Sequence, residues 1–112
     1  MVEELTKDSI KGRISNSSEP LIIDFYGDWC APCKRLAPKF EKLSKEFKAI
    51  GFAKYNVDED NKVFAIKLGI TSVPSTITFW KGEEIGRISG DLSEDELREK
   101  IRDAINKIKS LK

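Results

Sequence analysis

The sequence contains no histidine and no glutamine, and its 112 residues include only two cysteines and one methionine. Structural zinc normally takes four cysteine or histidine ligands, so this chain supplies at most half of such a site. No apolar run is long enough to cross a membrane. The net charge is +1 and no basic stripe dominates any segment, which argues against nucleic acid. We therefore expect neither a membrane nor a nucleic acid as a partner.

The chain is expected to form a single domain over residues 1–112, because no repeat, low-complexity tract or linker interrupts it. Residues 1–7 carry no long apolar run, so we expect neither a secretory signal nor a membrane anchor there. These features predict a cytoplasmic protein. In that compartment thiols are kept reduced, and a cysteine pair is more often catalytic or metal-binding than a structural crosslink. Nothing in the sequence demands more than a monomer.

Apolar runs and amphipathic stretches alternate along the chain. Their order, strand–helix–strand–helix–strand–strand–helix, predicts an α/β sandwich with a mixed sheet of four to five strands and four flanking helices. Parallel strands are expected in the first half and an antiparallel hairpin in the second. The predicted strands are an edge strand at 2–5 and strands at 21–26, 52–57, 76–80 and 84–89; the predicted helices lie at 6–14, after the cysteines, at 60–68 and from 94 onwards.

Local signals mark where several of these elements begin, bend or turn. Thr6 can cap the first helix, and Pro38 falls inside the long second helix, where it removes a backbone donor and implies a kink. Lys81-Gly82-Glu83 separates the two strands of the hairpin. Ser93 and Glu96 form a capping box at the start of the last helix, so that helix is the most strongly signalled of the four.

Both cysteines lie in the run Trp29-Cys30-Ala31-Pro32-Cys33-Lys34, directly before the second helix. A helix start brings position i near position i+3, so the two thiols can close a small disulfide ring. Cys30 faces the unpaired N–H groups and positive pole of the helix, which favour its thiolate, the attacking species in disulfide exchange. We therefore predict that Cys30 is exposed and nucleophilic and that Cys33, one turn further in, is shielded and resolving. Pro32 suits the first turn because its missing N–H costs little there.

Two other interpretations of the cysteine pair remain open. It could be half of a zinc site completed by a dimer or by carboxylates. It could also be a purely structural disulfide, although so small a loop constrains little of the unfolded chain. The spacing favours redox chemistry, which needs no metal or bound cofactor because the two cysteines themselves cycle between dithiol and disulfide.

Asp24 interrupts the apolar strand Leu21–Tyr26. An unpaired carboxylate buried there would be costly, and burial would raise its pKa. Such a carboxyl group could exchange protons with Cys33, and Lys54 on the next strand is the most plausible charge partner. Alternatively, Asp24 ends its strand at a solvated edge and Lys54 lies on an exposed strand face.

Pro74 follows Val73 directly before a predicted strand. A proline at this position can simply punctuate the strand. It can also form a cis peptide bond, which is uncommon even before proline and usually marks a tight turn.

Together these features resemble the thioredoxin family over nearly the whole chain. The resemblance rests on Asp24-Phe25, on the cysteine run and on four features behind it: Pro38, Val73-Pro74, Gly82 and Gly90. It implies the thioredoxin fold and a protein-disulfide reductase with a redox-active Cys30–Cys33 disulfide. It also implies disulfide-containing client proteins as substrates and a thioredoxin reductase that recycles the protein.

The resemblance also implies roles for individual residues. The family cysteine matching Cys30 attacks the substrate disulfide, and the one matching Cys33 releases the reduced product. The aspartate matching Asp24 is buried and assists proton transfer, with a lysine like Lys54 nearby. The cis turn at Val73-Pro74 grips the substrate as an added strand. The implied docking surface beside the cysteines consists of Trp29, Ala31, Pro32, Val73, Pro74 and Gly90.

The sequence departs from the common family pattern at three positions. Ala31 stands where glycine is commonest, which should stiffen the turn and affect the redox potential. Tyr26 replaces a frequent tryptophan, and Ser75 replaces the usual threonine after the proline.

Two alternative functions share the fold. Disulfide oxidases and isomerases tend to carry histidine between the cysteines, whereas this chain has Ala31-Pro32. Non-catalytic docking modules often lose one or both cysteines, whereas this chain keeps both. The sequence therefore favours the reductase.

Overall fold

The chain folds into a five-stranded mixed sheet with helices on both faces. A computed structural model describes all 112 residues. The strands are β1 (Val2–Leu5), β2 (Leu21–Tyr26), β3 (Gly51–Asn56), β4 (Ser75–Trp80) and β5 (Glu83–Ser89). The helices are α1 (Ile10–Asn16), α2 (Ala31–Glu46), α3 (Val63–Lys67) and α4 (Glu94–Leu111), and a 3₁₀ turn spans Val57–Asp60. No helix is long and apolar enough to cross a membrane.

The strands lie in the order β1-β3-β2-β4-β5. β3 runs parallel to both β1 and β2, while β4 is antiparallel to β2 and to β5. The predicted change from parallel to antiparallel pairing is confirmed, and the edge strand makes the sheet five-stranded. Helical crossovers join the parallel strands and a tight turn joins the hairpin, as each kind of pairing requires.

Successive side chains of β2 point to opposite faces of the sheet, and each face is covered by its own hydrophobic core. Phe25 faces the side of α1 and α3, where it packs edge-on against Tyr55. Ile22 faces the opposite side and packs under Phe40 of α2 and Leu97 of α4. By the same alternation Asp24 shares the face of Ile22, so its carboxyl group lies on the side covered by α2.

The first helix begins later than the sequence predicts. Thr6 begins a turn that precedes the helix: its carbonyl accepts from Ile10 N–H at 3.0 Å, and its hydroxyl accepts from Ser9 N–H at 3.2 Å. The hydroxyl group therefore stabilises the turn, and α1 starts only at Ile10. The predicted helix at 60–68 is likewise shorter, since a 3₁₀ turn precedes α3.

The hairpin turn is one residue tighter than predicted. Glu83 already pairs with Trp80, which leaves Lys81 and Gly82 as a two-residue loop with φ of +52° and +81°. Positive φ at both loop positions matches the twist of the flanking strands. The predicted capping box is confirmed, because the Ser93 side chain accepts from Glu96 N–H and the Glu96 side chain accepts from Ser93 N–H.

Candidate active site

The start of α2 brings the two cysteines together. Cys30 is the N-cap residue, with extended backbone angles, and Ala31 and Pro32 form the first helical positions. Cys33 lies one turn along, 5.2 Å from Cys30 between Cα atoms, and the two sulfurs form a disulfide. The N–H of Cys33 donates to the Sγ of Cys30 at 3.2 Å. The helix end thus directs one of its unpaired donors at the Cys30 sulfur.

The two sulfurs have different surroundings. Cys30 lines a groove of about 300 Å³ together with Trp29 and Val73. Cys33 lines a separate cavity of about 220 Å³ that also contacts Asp24. Cys33 is 3% exposed, so its predicted shielding is confirmed; Cys30 is only 9% exposed, so the prediction that it is exposed is wrong for the disulfide form. The burial follows from the tertiary fold, which sets the Val73 carbonyl 3.6 Å from the Cys30 sulfur.

The peptide bond between Val73 and Pro74 is cis, as the sharper of the two sequence interpretations predicts. The carbonyl of Pro74 accepts from Gly90 N–H at 2.9 Å. Gly90 has φ of +88°, a conformation that glycine adopts without steric cost. The hydrogen bond holds the Gly90 loop against the proline loop beside the cysteines.

A charged clamp that is not predicted from the sequence fixes the same loop to α2. The Asp91 carboxylate accepts from Arg35 Nε at 3.1 Å and from Lys39 Nζ at 2.9 Å. These hydrogen bonds lower the pKa of Asp91. Arg35 and Lys39 lie four residues apart on one face of α2, and such a pair can bind a single carboxylate. Their partner Asp91 is more than fifty residues away in sequence, so local patterns do not predict the contact.

Trp29 is 97% exposed. The preceding residue, Asp28, is fixed by hydrogen bonds to two other residues. Asp58 accepts from the backbone N–H of Asp28 at 3.3 Å, and the Asn56 amide donates to the Asp28 side chain at 2.6 Å. The loop is therefore fixed while the indole ring remains open to solvent. None of these three anchoring residues is predicted from the sequence alone.

Asp24 is buried, with 3% of its surface exposed, so the solvated-edge interpretation is wrong. Burial raises the pKa of Asp24 to about 7; the positive charge of Lys54 opposes this, and the negative charge of Glu4 adds to it. Its Oδ1 atom is buried without a hydrogen-bond partner. An unpaired carboxyl group with a pKa near neutrality can both accept and release a proton at physiological pH.

Lys54 lies next to Asp24 in the sheet, since the two are register partners on β3 and β2. Its ammonium group is 3.6 Å from Glu4 on β1 and makes no ion pair within 4.0 Å of Asp24. The Tyr26 hydroxyl also donates to Glu4, at 3.0 Å to one oxygen and 3.2 Å to the other. Lys54, the predicted charge partner of Asp24, thus pairs with Glu4, which is not predicted from the sequence.

The family model described as Thioredoxin matches residues 1–103. The chain belongs to the thioredoxin family. It is 40% identical over 90 residues to a thioredoxin of Mycoplasma pneumoniae, which covers 80% of this chain and 87% of the relative. It is 37% identical over 102 residues to a thioredoxin of Echinococcus granulosus, covering 91% and 92% of the two chains.

The fold agrees with this family. The crystal structure of thioredoxin F from spinach chloroplast, in its short form, superimposes with a TM-score of 0.83 at 34% sequence identity, and the match covers 92% of each chain. The predicted thioredoxin fold is confirmed. Thioredoxins are thiol–disulfide oxidoreductases, and the Cys30–Cys33 pair at disulfide geometry gives this chain the same chemistry. It is a protein-disulfide reductase.

No group of three or more histidine, cysteine, aspartate or glutamate side chains is arranged to hold a metal ion. The two cysteine sulfurs are bonded to each other, which supplies the redox-active group that thioredoxin chemistry uses. The oxidase and isomerase alternative is not favoured by the family match.

Proposed function

We propose that Cys30 is the attacking thiol of this reductase and Cys33 the resolving thiol. The observation that carries the proposal is the difference between the two sulfurs. Cys30 Sγ caps α2, accepts a helix N–H and lines the groove. Cys33 lies one turn inside and lines the cavity of Asp24. The helix end favours a thiolate at Cys30, where a client disulfide can reach it.

The reaction proceeds by two exchanges at sulfur. The Cys30 thiolate attacks a client disulfide, forms a mixed disulfide and expels one client sulfur as a thiolate. The Cys33 thiolate then attacks the Cys30 sulfur and releases the second client thiolate. Two electrons pass from the dithiol to the client, and the Cys30–Cys33 disulfide forms. A thioredoxin reductase returns two electrons to this disulfide.

Asp24 is proposed to accept the proton that Cys33 loses before its attack. Both residues line the same cavity, and a pKa of about 7 lets Asp24 take up and release a proton near neutrality. The cavity volume of about 220 Å³ is large enough for water to carry the proton between them. Lys54 modulates the charge of Asp24 from the neighbouring strand.

The client is proposed to bind as an extended segment beside Val73 and Pro74. Backbone pairing of this kind tolerates many sequences, because main-chain groups provide most of the contact. The exposed Trp29 lines the same groove as Val73. Ala31, Pro32 and Gly90 complete the proposed surface around the disulfide.

We also propose the setting in which this chemistry occurs. Residues 1–112 act as one domain, as a monomer in the cytoplasm, with the Cys30–Cys33 disulfide as the only redox group. This setting rests on the uninterrupted sequence, its near-neutral net charge of +1 and the reduced state of cytoplasmic thiols. Its partners are disulfide-containing proteins and a thioredoxin reductase, while membranes and nucleic acid are not among them.

Insulin reduction with dithiothreitol tests the assignment. The wild-type protein should accelerate precipitation of the reduced insulin chains, whereas Cys30→Ser should be inactive. Cys33→Ser should trap a mixed disulfide with the client, and the double variant should trap none. Full activity of Cys30→Ser would contradict the assignment. A redox titration separates the oxidase alternative, because a potential far above the cytosolic glutathione pool would overturn the reductase.

A further inference from the structure

Three charged residues form a row across the parallel strands at one edge of the sheet. The register pairs Glu4 of β1 with Lys54 of β3, and Lys54 with Asp24 of β2. All three face the side covered by α2, because residues in register share a face of the sheet. The row runs from the half-exposed Glu4 to the buried Asp24.

The Lys54 side chain pairs with Glu4, at the outer end of this row. Its ammonium group lies 3.6 Å from Glu4 Oε1 and 5.9 Å from the centre of the Tyr26 ring. The Tyr26 hydroxyl donates to both oxygens of Glu4, which fixes the carboxylate in place. At the inner end, Asp24 Oδ1 remains buried without a partner.

We propose that Glu4 is a positioning residue for the proton-transfer step: together with Tyr26 it anchors the Lys54 ammonium group at the outer edge of the sheet and so keeps Asp24 free of an ion pair. The inference deepens the proposed function, since it rests on the role of Asp24 given above. A direct ion pair with Lys54 would lower the pKa of Asp24 and make its carboxylate a weaker base for the proton of Cys33.

Lys54 and Glu4 are the two charged groups that act on the pKa of Asp24. The cavity that Asp24 lines is bordered by Asp28 from the following loop and by Lys34 from α2. On the β4 side, its register partner is the neutral Thr76. Lys54 and Glu4 are therefore the charged groups that the sheet itself presents to Asp24.

The chain contains a matched control for Glu4. Glu3 precedes it on β1 and its side chain is equally exposed, at 50%. Glu3 points to the opposite face of the sheet, where it pairs with Arg13 at 3.0 Å. Replacing either glutamate by glutamine removes one negative charge, but only Glu4→Gln releases Lys54. The glutamine at position 4 can still accept the Tyr26 hydrogen bond, so the strand should stay in place.

The test is an NMR titration of the Asp24 carboxyl group in the oxidised protein. Glu4 and Asp24 are two strands apart, which corresponds to about 9.6 Å. Removing the negative charge of Glu4 at this distance, with an effective dielectric constant between about 20 and 80, should lower the titration midpoint of Asp24 in Glu4→Gln by about 0.3 to 1.3 pH units. The approach of the released Lys54 adds to the shift. Glu3→Gln should shift the midpoint less, because Glu3 lies on the opposite face of the sheet and is paired with Arg13. In a Lys54→Met background, Glu4→Gln should lower the titration midpoint of Asp24 by a smaller amount, because no ammonium group is released.

An unchanged or raised midpoint in Glu4→Gln would overturn the proposal, and so would an equal shift in Glu3→Gln. An undiminished shift in the Lys54→Met background would show that Glu4 does not act through Lys54, which also overturns it. Insulin reduction by the wild type distinguishes a failure of the reductase assignment from a failure of the positioning role of Glu4. If the wild type reduces insulin and the midpoint does not move, only the positioning role fails. If the midpoint shifts as expected but insulin is not reduced, the reductase assignment fails instead.

Discussion

Replacing Asp24 by asparagine should stabilise the fold in a pH-dependent way. Asp24 is buried, and burial raises its pKa from the ordinary value of 3.8 to about 7. In the unfolded chain the group ionises near 3.8, so between these pH values the folded state binds a proton that the unfolded state has lost. The wild-type free energy of unfolding must therefore fall as pH rises through this range.

The size of the effect follows from the two pKa values. Each pH unit is worth about 1.4 kcal/mol, so the interval from 3.8 to about 7 corresponds to about 4 kcal/mol. We expect the stability advantage of Asp24→Asn to be smallest at pH 4, about 2 kcal/mol greater at pH 5.5 and about 4 kcal/mol greater at pH 8. The amide adds a contribution that does not vary with pH, so the change between pH 4 and pH 8 isolates the carboxyl group.

Urea unfolding of the oxidised proteins at these three pH values measures the difference directly. Glu99→Gln is a suitable control, because Glu99 is exposed on α4 and its replacement should change stability little at any pH. A difference between Asp24→Asn and wild type that stays constant with pH would refute the reasoning, since it would mean that the buried group titrates alike in both states. The same variant should lower the rate of insulin reduction, by up to about 100-fold if Asp24 is the proton acceptor.

Other substitutions test separate parts of the structure. Trp29→Ala should change the free energy of unfolding by less than about 0.5 kcal/mol, because the ring is 97% exposed, yet it should raise the KM for insulin; an unchanged KM would remove Trp29 from the docking surface. Gly82→Ala should cost about 1 to 2 kcal/mol in thermal or urea unfolding, since φ is +81° there. Ser93→Ala should cost about 1 kcal/mol by the same measurement, through loss of the capping box, and no loss would mean that the cap is not formed in solution.

Some features of this protein are determined by short stretches of sequence. The capping box at Ser93, the hairpin signal around Gly82 and the cysteines at the start of α2 all depend on residues within one turn of each other. Such features involve residues close in sequence, so local patterns predict them. The prediction that Thr6 caps the first helix is wrong because the same hydroxyl group can stabilise either a cap or a turn.

The chemistry of the site depends on contacts that only the tertiary structure makes. Whether Asp24 is buried, and which carboxylate holds Lys54, follows from strand order and register between segments twenty or more residues apart. The clamp at Asp91 and the burial of Cys30 by Val73 are equally long-range. The sequence by itself determined which groups are chemically active. The packing of the sheet and α2 decided their charge states, because desolvation and neighbouring charges depend on position in space.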